Sequence, residues 1–175
     1  MRIETERLVI RSLERADEVR FIDMAADGSL SEIFGDCTNC ADWMGDWIAD
    51  SMRLEAENNP HRDYIAFAIA GREGGQAIGS IGTTYYEDMD RVGITYFLGA
   101  GYRGHGYMAE AVRAFAQYVF ANYDVDSLFA VAALRNPASC RTLSKAGFAL
   151  IDTRMYQDMY DAESEMQNFY ELRRA

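Results

Sequence analysis

The chain has 175 residues, 49% of them apolar and 26% charged, with only two prolines. This is the composition of one globular domain with enough chain for a proper core, not of a disordered, fibrous or disulfide-stapled protein. The formal charge is −11, and the basic residues are sixteen arginines and one lysine, Lys145; so acidic a chain, without a basic stripe, suits neither nucleic acid nor an anionic membrane, since both need cations to displace counterions.

In chain order, residues 7–13 (RLVIRSL) read as a strand after a polar start. Glu14 and Asp17 suit a helix N-terminus, and Val19, Ile22 and Met24 supply its apolar positions. Gly28 and Gly35 break the next stretch into loops. Over residues 42–58, Trp43, Met44, Trp47, Ile48 and Met52 recur at three- and four-residue spacing, which predicts a helix closed by Pro60, with both tryptophans in the core. Residues 64–70 and 76–86 read as two strands of a hairpin, with Gly71, Gly74 and Gly75 in its turn. Gly79 and Gly82 inside the second strand imply bends or close backbone approach. A third strand covers 92–98, and an amphipathic helix runs to about Asn122. Residues 127–134 (SLFAVAAL) form a continuous apolar strand of the kind buried on both faces. Asn136 and Pro137 start another helix as N-cap and first residue, and Gly147 ends it. Two strands, 148–156 and 167–173, close the chain. The order predicts a single mixed α/β domain with one sheet and helices on its faces.

Three cysteines carry little direction. Cys37 and Cys40 form a CxxC with no second pair, no nearby histidine and no preceding strand, which fits neither structural zinc nor a thioredoxin-like site. Reduced thiols in a reducing compartment are expected. No apolar run approaches the ~20 residues of a membrane span, and the N-terminus has no signal-peptide core. The expected location is the cytoplasm, and no metal is expected.

The segment with chemistry in it is a strand delivering a glycine-rich turn into a helix, GAGYRGHGYMAEA over residues 99–111. Backbone N–H groups from Arg103 to Met108 can converge on one anion there, where the helix dipole favours negative charge. No Lys-Ser/Thr pair follows, so the turn is not a Walker loop, and its glycines are out of register for a dinucleotide fingerprint.

YRGHGYMAEA resembles the acetyl-CoA loop of the GNAT N-acetyltransferase superfamily, patterned Arg/Gln-x-x-Gly-x-Gly/Ala, with Arg103 and Gly106 matching and Met108 where Gly or Ala is usual. TERLVIR at 5–11 is similar to the opening of its RimJ/RimL branch, and NPASCRTLSKAGF at 136–148 to that branch's Asn-x-x-Ser segment. The resemblance implies a GNAT fold: a mixed, mostly antiparallel sheet with a V-shaped split between two parallel strands, here 92–98 and 127–134, and helices on both faces. It implies a cosubstrate, acetyl-CoA, with its pyrophosphate on the loop of Arg103, Gly104, His105, Gly106, Tyr107 and Met108. The backbone of Phe97, Leu98 and Gly99 would then pair with the pantetheine. Arg141 and Lys145 would meet the 3′-phosphate or stand solvated.

The chemistry implied is direct attack of an acceptor amine on the thioester. The tyrosine that many members carry seven residues after the Asn is Leu143 here, so Ser139 is the expected proton donor, beside Asn136. Glu87 is the choice for general base, although water can serve an α-amine, whose pKa lies near 8. The alternative reading is a CoA-binding module without catalysis. A nucleotide-phosphate enzyme of another kind is a third.

The charge is unevenly placed. Residues 14–58 carry −9, residues 59–151 sum to zero, and residues 152–175 carry −3. The resemblance puts the acceptor cleft between the first of these segments and the turn holding Asp158, Asp161 and Glu163. The charge reads either as solvated helix faces or as attraction for a cationic amine acceptor, and a homodimer through the C-terminal strands is expected.

Overall fold

The computed structural model describes residues 1–157 and 163–174. The elements in chain order are β1 (Arg2–Glu4), β2 (Leu8–Ser12), α1 (Glu18–Ala25), α2 (Ser31–Phe34), α3 (Met44–Glu57), β3 (Ile65–Gly71), β4 (Ala77–Tyr86), β5 (Arg91–Leu98), α4 (Tyr107–Asn122), β6 (Ser127–Ala133), α5 (Pro137–Ala146), β7 (Ala149–Tyr156) and β8 (Glu165–Arg173). The expected class holds, with two differences. Residues 2–4, read as a polar lead-in, form an extra strand because β2 offers them a ladder, pairing Ile3 with Ile10. The 28–42 stretch holds the short helix α2 and a single 3-10 turn over Cys40–Asp42.

All strands lie in one sheet, in the order β1-β2-β3-β4-β5-β6-β8-β7. Every neighbouring pair is antiparallel except β5 and β6. β8 is inserted between β6 and β7, because Phe169 and Tyr170 are buried while β7 is exposed along most of its length.

Two apolar layers sandwich the sheet. On one face, α4 lays Ala111, Val112, Phe115 and Val119, all fully buried, against Ile10, Phe67 and Ile69. A cavity in place of Phe115 would cost about 3–5 kcal/mol. On the other face, Phe21, Met44 and Ile48 from α1 and α3 pack on Ala66, Ala68 and Ala77, whose small side chains let the helices approach. Trp43 and Trp47 join this layer through Phe34, the Trp47 ring meeting it edge-on at 5.3 Å. The close approach expected at Gly79 is real: a Cβ there would lie 2.2 Å from the Phe97 carbonyl. Among the described residues, no helix is long and apolar enough to cross a membrane.

Candidate active site

β5 and β6 meet at one register position, Gly93 opposite Phe129, and pair no further. Toward their C-terminal ends they leave a gap. Which backbone groups face it follows from the antiparallel ladder on the other side. Gly99 N donates to Ile78 O at 3.0 Å, and Phe97 stands opposite Ser80. Bonding alternates along such a pair, so Phe97 and Gly99 are turned toward β4, while Tyr96 and Leu98 present their N–H and C=O to the gap. Of the three residues expected to pair with pantetheine, only Leu98 faces the right way.

The glycine loop follows β5. Its path needs left-handed backbone at Gly104 (φ +82°) and at Gly106 (φ +78°), which glycine adopts without strain. Gly106 is the N-cap residue of α4 and supplies no side-chain cap, so the amides of Tyr107, Met108 and Ala109 are left as the open donors of a helix start. The Met108 side chain is buried, which leaves only its backbone for a ligand. Arg103 departs from expectation: its amide is engaged with Ala100 O at 3.3 Å. Its guanidinium instead ties the loop down, with Nε donating to Leu98 O at 3.0 Å and Nη2 to Ser29 O at 2.9 Å. The His105 ring stacks on Tyr107, with centroids 5.6 Å apart.

α5 closes the gap from one face. Asn136 Oδ1 accepts from Ser139 N at 3.1 Å, so Asn136 is the N-cap, as expected. The Ser139 hydroxyl lies 2.8 Å from the Tyr96 phenol oxygen, a hydrogen bond that joins α5 to β5. Burial pushes the Tyr96 phenol up to about 12, against a smaller opposing effect of the Ser139 bond. Leu143 is only 1% exposed, so the position where the family often has tyrosine is filled by core here. Tyr96, which the sequence reading did not single out, brings a phenol to Ser139 from the neighbouring strand instead. Nothing short of tertiary structure signals that proximity.

Arg141 and Lys145 are exposed on α5. Arg113 of α4 stands near them, donating to Lys145 O at 3.0 Å, and is a third cation on this edge that the sequence reading missed. Glu87 is not brought to the others. It is exposed in the β4–β5 turn, and from Arg91 to Tyr96 the strand alone spans on the order of 16 Å.

The expected acceptor side is lined by α1, α2 and the 28–42 loop, which border an open cleft of about 400 Å³ reaching from Ile22 and Ala25 to Cys37 and Thr38. Burial raises the Cys37 thiol above its usual range. Asp158 and Asp161 lie outside the described residues, and Glu163 is exposed. Arg135, just before Asn136, bridges Glu32 of α2 and Glu165 of β8, the latter at 2.7 Å. Among the described residues no three histidine, cysteine or acidic side chains converge as a metal site would require.

The sequence from residue 7 to residue 149 matches the family described as the acetyltransferase (GNAT) domain. The chain belongs to the GNAT acetyltransferase family. This acetyltransferase shares its fold with a GNAT-family acetyltransferase from Bacillus anthracis, at 19% identity and a TM-score of 0.82, over 99% of this chain and 98% of that one. RimL, a ribosomal-protein alpha-N-acetyltransferase solved with coenzyme A, matches at 13% identity and a TM-score of 0.83, over 99% and 98%. MccE, a microcin C7 self-immunity acetyltransferase solved with acetyl-CoA and AMP, matches at 16% identity and a TM-score of 0.79, over 97% and 93%. No curated protein matches the sequence. As a GNAT member the protein is an acyltransferase whose acetyl donor is acetyl-CoA, and the reading as a binding module without catalysis is set aside. The residues fit that donor: an open gap beside a strand that turns the backbone of Tyr96 and the N–H of Leu98 toward it, leading to a glycine loop with open amides.

Proposed function

We propose that this acetyltransferase moves an acetyl group from acetyl-CoA to a primary amine, with Ser139 as proton donor and Tyr96 behind it. The observation that carries this reading is the Tyr96–Ser139 hydrogen bond at the side of the β5–β6 gap. Acetyl-CoA supplies an activated carbonyl with a thiolate leaving group. The Leu98 N–H and the Tyr96 backbone hold the pantetheine, and the amides from Gly104 to Met108 hold the pyrophosphate. Arg113, Arg141 and Lys145 are the cations in reach of a 3′-phosphate.

The acceptor nitrogen forms its bond to the carbonyl carbon as the carbon–sulfur bond breaks. Ser139 gives its hydroxyl proton to the departing sulfur, Tyr96 returns a proton to Ser139, and water returns one to Tyr96. The nitrogen's own proton goes to water, since Glu87 stands exposed at the other end of β5. An α-amine, with a pKa near 8, is partly neutral at physiological pH and needs no dedicated base, whereas a lysine amine near 10.4 does. This favours an α-amine, on a polypeptide or a small molecule.

The −9 charge of residues 14–58 supports a cationic acceptor, although Arg135 neutralises part of the wall. Unpaired Cys37, Cys40 and Cys140 suit a reducing, cytoplasmic setting. β7 is an open sheet edge with Leu150, Ile151 and Met155 all at least half exposed, which suits pairing with a second copy.

The test is thiol release from acetyl-CoA with a panel of α-amines and ε-amines, compared between wild type and Ser139→Ala. Turnover with an α-amine that falls about 100-fold in Ser139→Ala supports the reading. Turnover that survives Ser139→Ala intact removes Ser139 from the mechanism.

A further inference from the structure

The opening motif at residues 5–11 has no part in the gap or in α5, yet two of its side chains, Thr5 and Arg7, are spent on the start of α4 and the glycine loop. The β1–β2 turn lies against the start of α4. There Arg7 Nε donates to Glu110 Oε2 at 2.7 Å, and Arg7 Nη2 reaches the same oxygen at 2.7 Å. Arg7 N and the Thr5 hydroxyl donate to Glu110 Oε1, at 2.9 Å and 2.6 Å. The remaining arm, Arg7 Nη1, donates to the carbonyl of His105 at 2.9 Å. The guanidinium carbon sits 4.8 Å from the centre of the Tyr107 ring. A Cβ on Gly106 would lie 3.6 Å from Arg7 Nη2, so the side chain runs directly beneath the loop.

The contact to His105 fixes more than a carbonyl. A trans peptide is planar, with its C=O and N–H pointing in opposite directions. Holding the His105 carbonyl toward Arg7 therefore turns the Gly106 N–H away from Arg7, to the open side of the loop. At a left-handed glycine nothing local keeps that plane from rotating. Glu110 holds Arg7 in place for this task. Burial alone would push the Glu110 carboxyl up, but the bonds from Thr5 and Arg7 outweigh it and keep the group ionised. Arg7 in turn cancels the charge of a carboxylate that stands in the first turn of the helix, near the loop.

We infer that Arg7, held by Glu110, is a positioning residue for the phosphate-binding loop: it sets the His105–Gly106 peptide so that the Gly106 amide faces the ligand. The inference rests on the reading of this loop as the pyrophosphate site. It predicts a defect tied to the phosphates of the donor and not to the acetyl transfer itself.

The experiment compares acetyl-CoA with S-acetyl-pantetheine, which has the same thioester and no phosphate. In Arg7→Gln, which keeps the side-chain stem, KM for acetyl-CoA rises about 10- to 100-fold, the range for losing charged hydrogen bonds. At saturating acetyl-CoA, kcat stays within about twofold, and kcat/KM for S-acetyl-pantetheine is unchanged. Arg7→Lys recovers part of the loss, since an ammonium cannot bridge Glu110 and the His105 carbonyl with the same fork. The double variant Arg7→Gln/Glu110→Gln stays as weak as Arg7→Gln; full recovery on removing the carboxylate would mean that Arg7 only cancels charge, and would overturn the positioning role. So would an equal loss with both donors, or an unchanged KM for acetyl-CoA. Gly106→Val tests the loop separately. If it leaves KM for acetyl-CoA unchanged, the loop is not the pyrophosphate site. If it raises KM while Arg7→Gln does not, only the role of Arg7 is lost.

Discussion

The Tyr96 phenol and the Ser139 hydroxyl, 43 residues apart in sequence, share a hydrogen bond of 2.8 Å. Because burial lifts the Tyr96 phenol to about 12, it stays protonated throughout the working range and is a reserve of protons, not a base. A raised value keeps the neutral form, so kcat has no falling limb below about pH 10 from this group. Tyr96→Phe lowers kcat by roughly tenfold with little change in KM for acetyl-CoA, and Ser139→Ala by roughly 100-fold. A pH–rate profile from 6 to 10 checks both; a falling limb in wild type that disappears in Tyr96→Phe would contradict the protonated phenol.

Asn136 caps α5, and two substitutions test it for a role beyond the cap. Asn136→Asp keeps the oxygen that accepts from Ser139 N, so its melting temperature stays close to wild type. Asn136→Ala loses the cap, costing about 1 kcal/mol and a few degrees of Tm. If the side-chain amide also meets the donor or the acceptor, both variants raise KM, whereas a pure cap leaves Asn136→Asp kinetically normal. Thermal melts and steady-state kinetics on the same samples give the answer.

Restoring the family's usual tyrosine at Leu143 does not restore a proton donor. The site is 1% exposed and packed in the main core layer. Leu143→Tyr overpacks it at a cost of about 1–3 kcal/mol. In the Ser139→Ala background it leaves the rate as low as before. Recovery of more than about tenfold would show that the phenol reaches the sulfur.

Arg11 and Asp17 form the best-shielded ion pair described here, with both carboxylate oxygens engaged, at 2.7 Å and 2.8 Å. Asp17 also accepts from Glu14 N and is 4% exposed. Asp17→Ala leaves a partly buried guanidinium without its partner, a loss of about 3–5 kcal/mol. The expected fall in Tm is roughly 10 °C, measured by calorimetry. A fall under about 2 °C would show that water replaces the carboxylate at little cost.

The elements and the loop were legible because their signals are local. Gly104 and Gly106 announce a left-handed turn wherever they are placed, and Asn136-Pro137 announces a helix start in any fold. β1 was not legible, since three residues carry no measurable period and Arg2–Glu4 extend only because β2 is there to pair with. The backbone facing of Phe97 and Gly99 was misread because it depends on the β4–β5 register, which composition does not encode. Tyr96 was hidden for a related reason: its partner lies on a helix three elements further along the chain. The 5–11 motif was visible as a pattern, but its contact with Glu110 spans more than 100 residues.

The single meeting point of β5 and β6 makes the sheet a five-stranded block and a three-stranded block joined along a seam. Cooperativity is weakest where ladder bonds are missing. Amides of Tyr96, Leu98 and the facing edge of β6 therefore exchange with solvent early in the empty enzyme. A bound donor acts as the absent strand and welds the blocks, raising apparent stability by mass action. Hydrogen exchange at these amides with and without CoA reads the effect directly, and equal rates in both states would mean that the seam is already closed. The resistance of this protein to proteolysis is then tied to its supply of acetyl donor: it is softest when it has nothing to transfer.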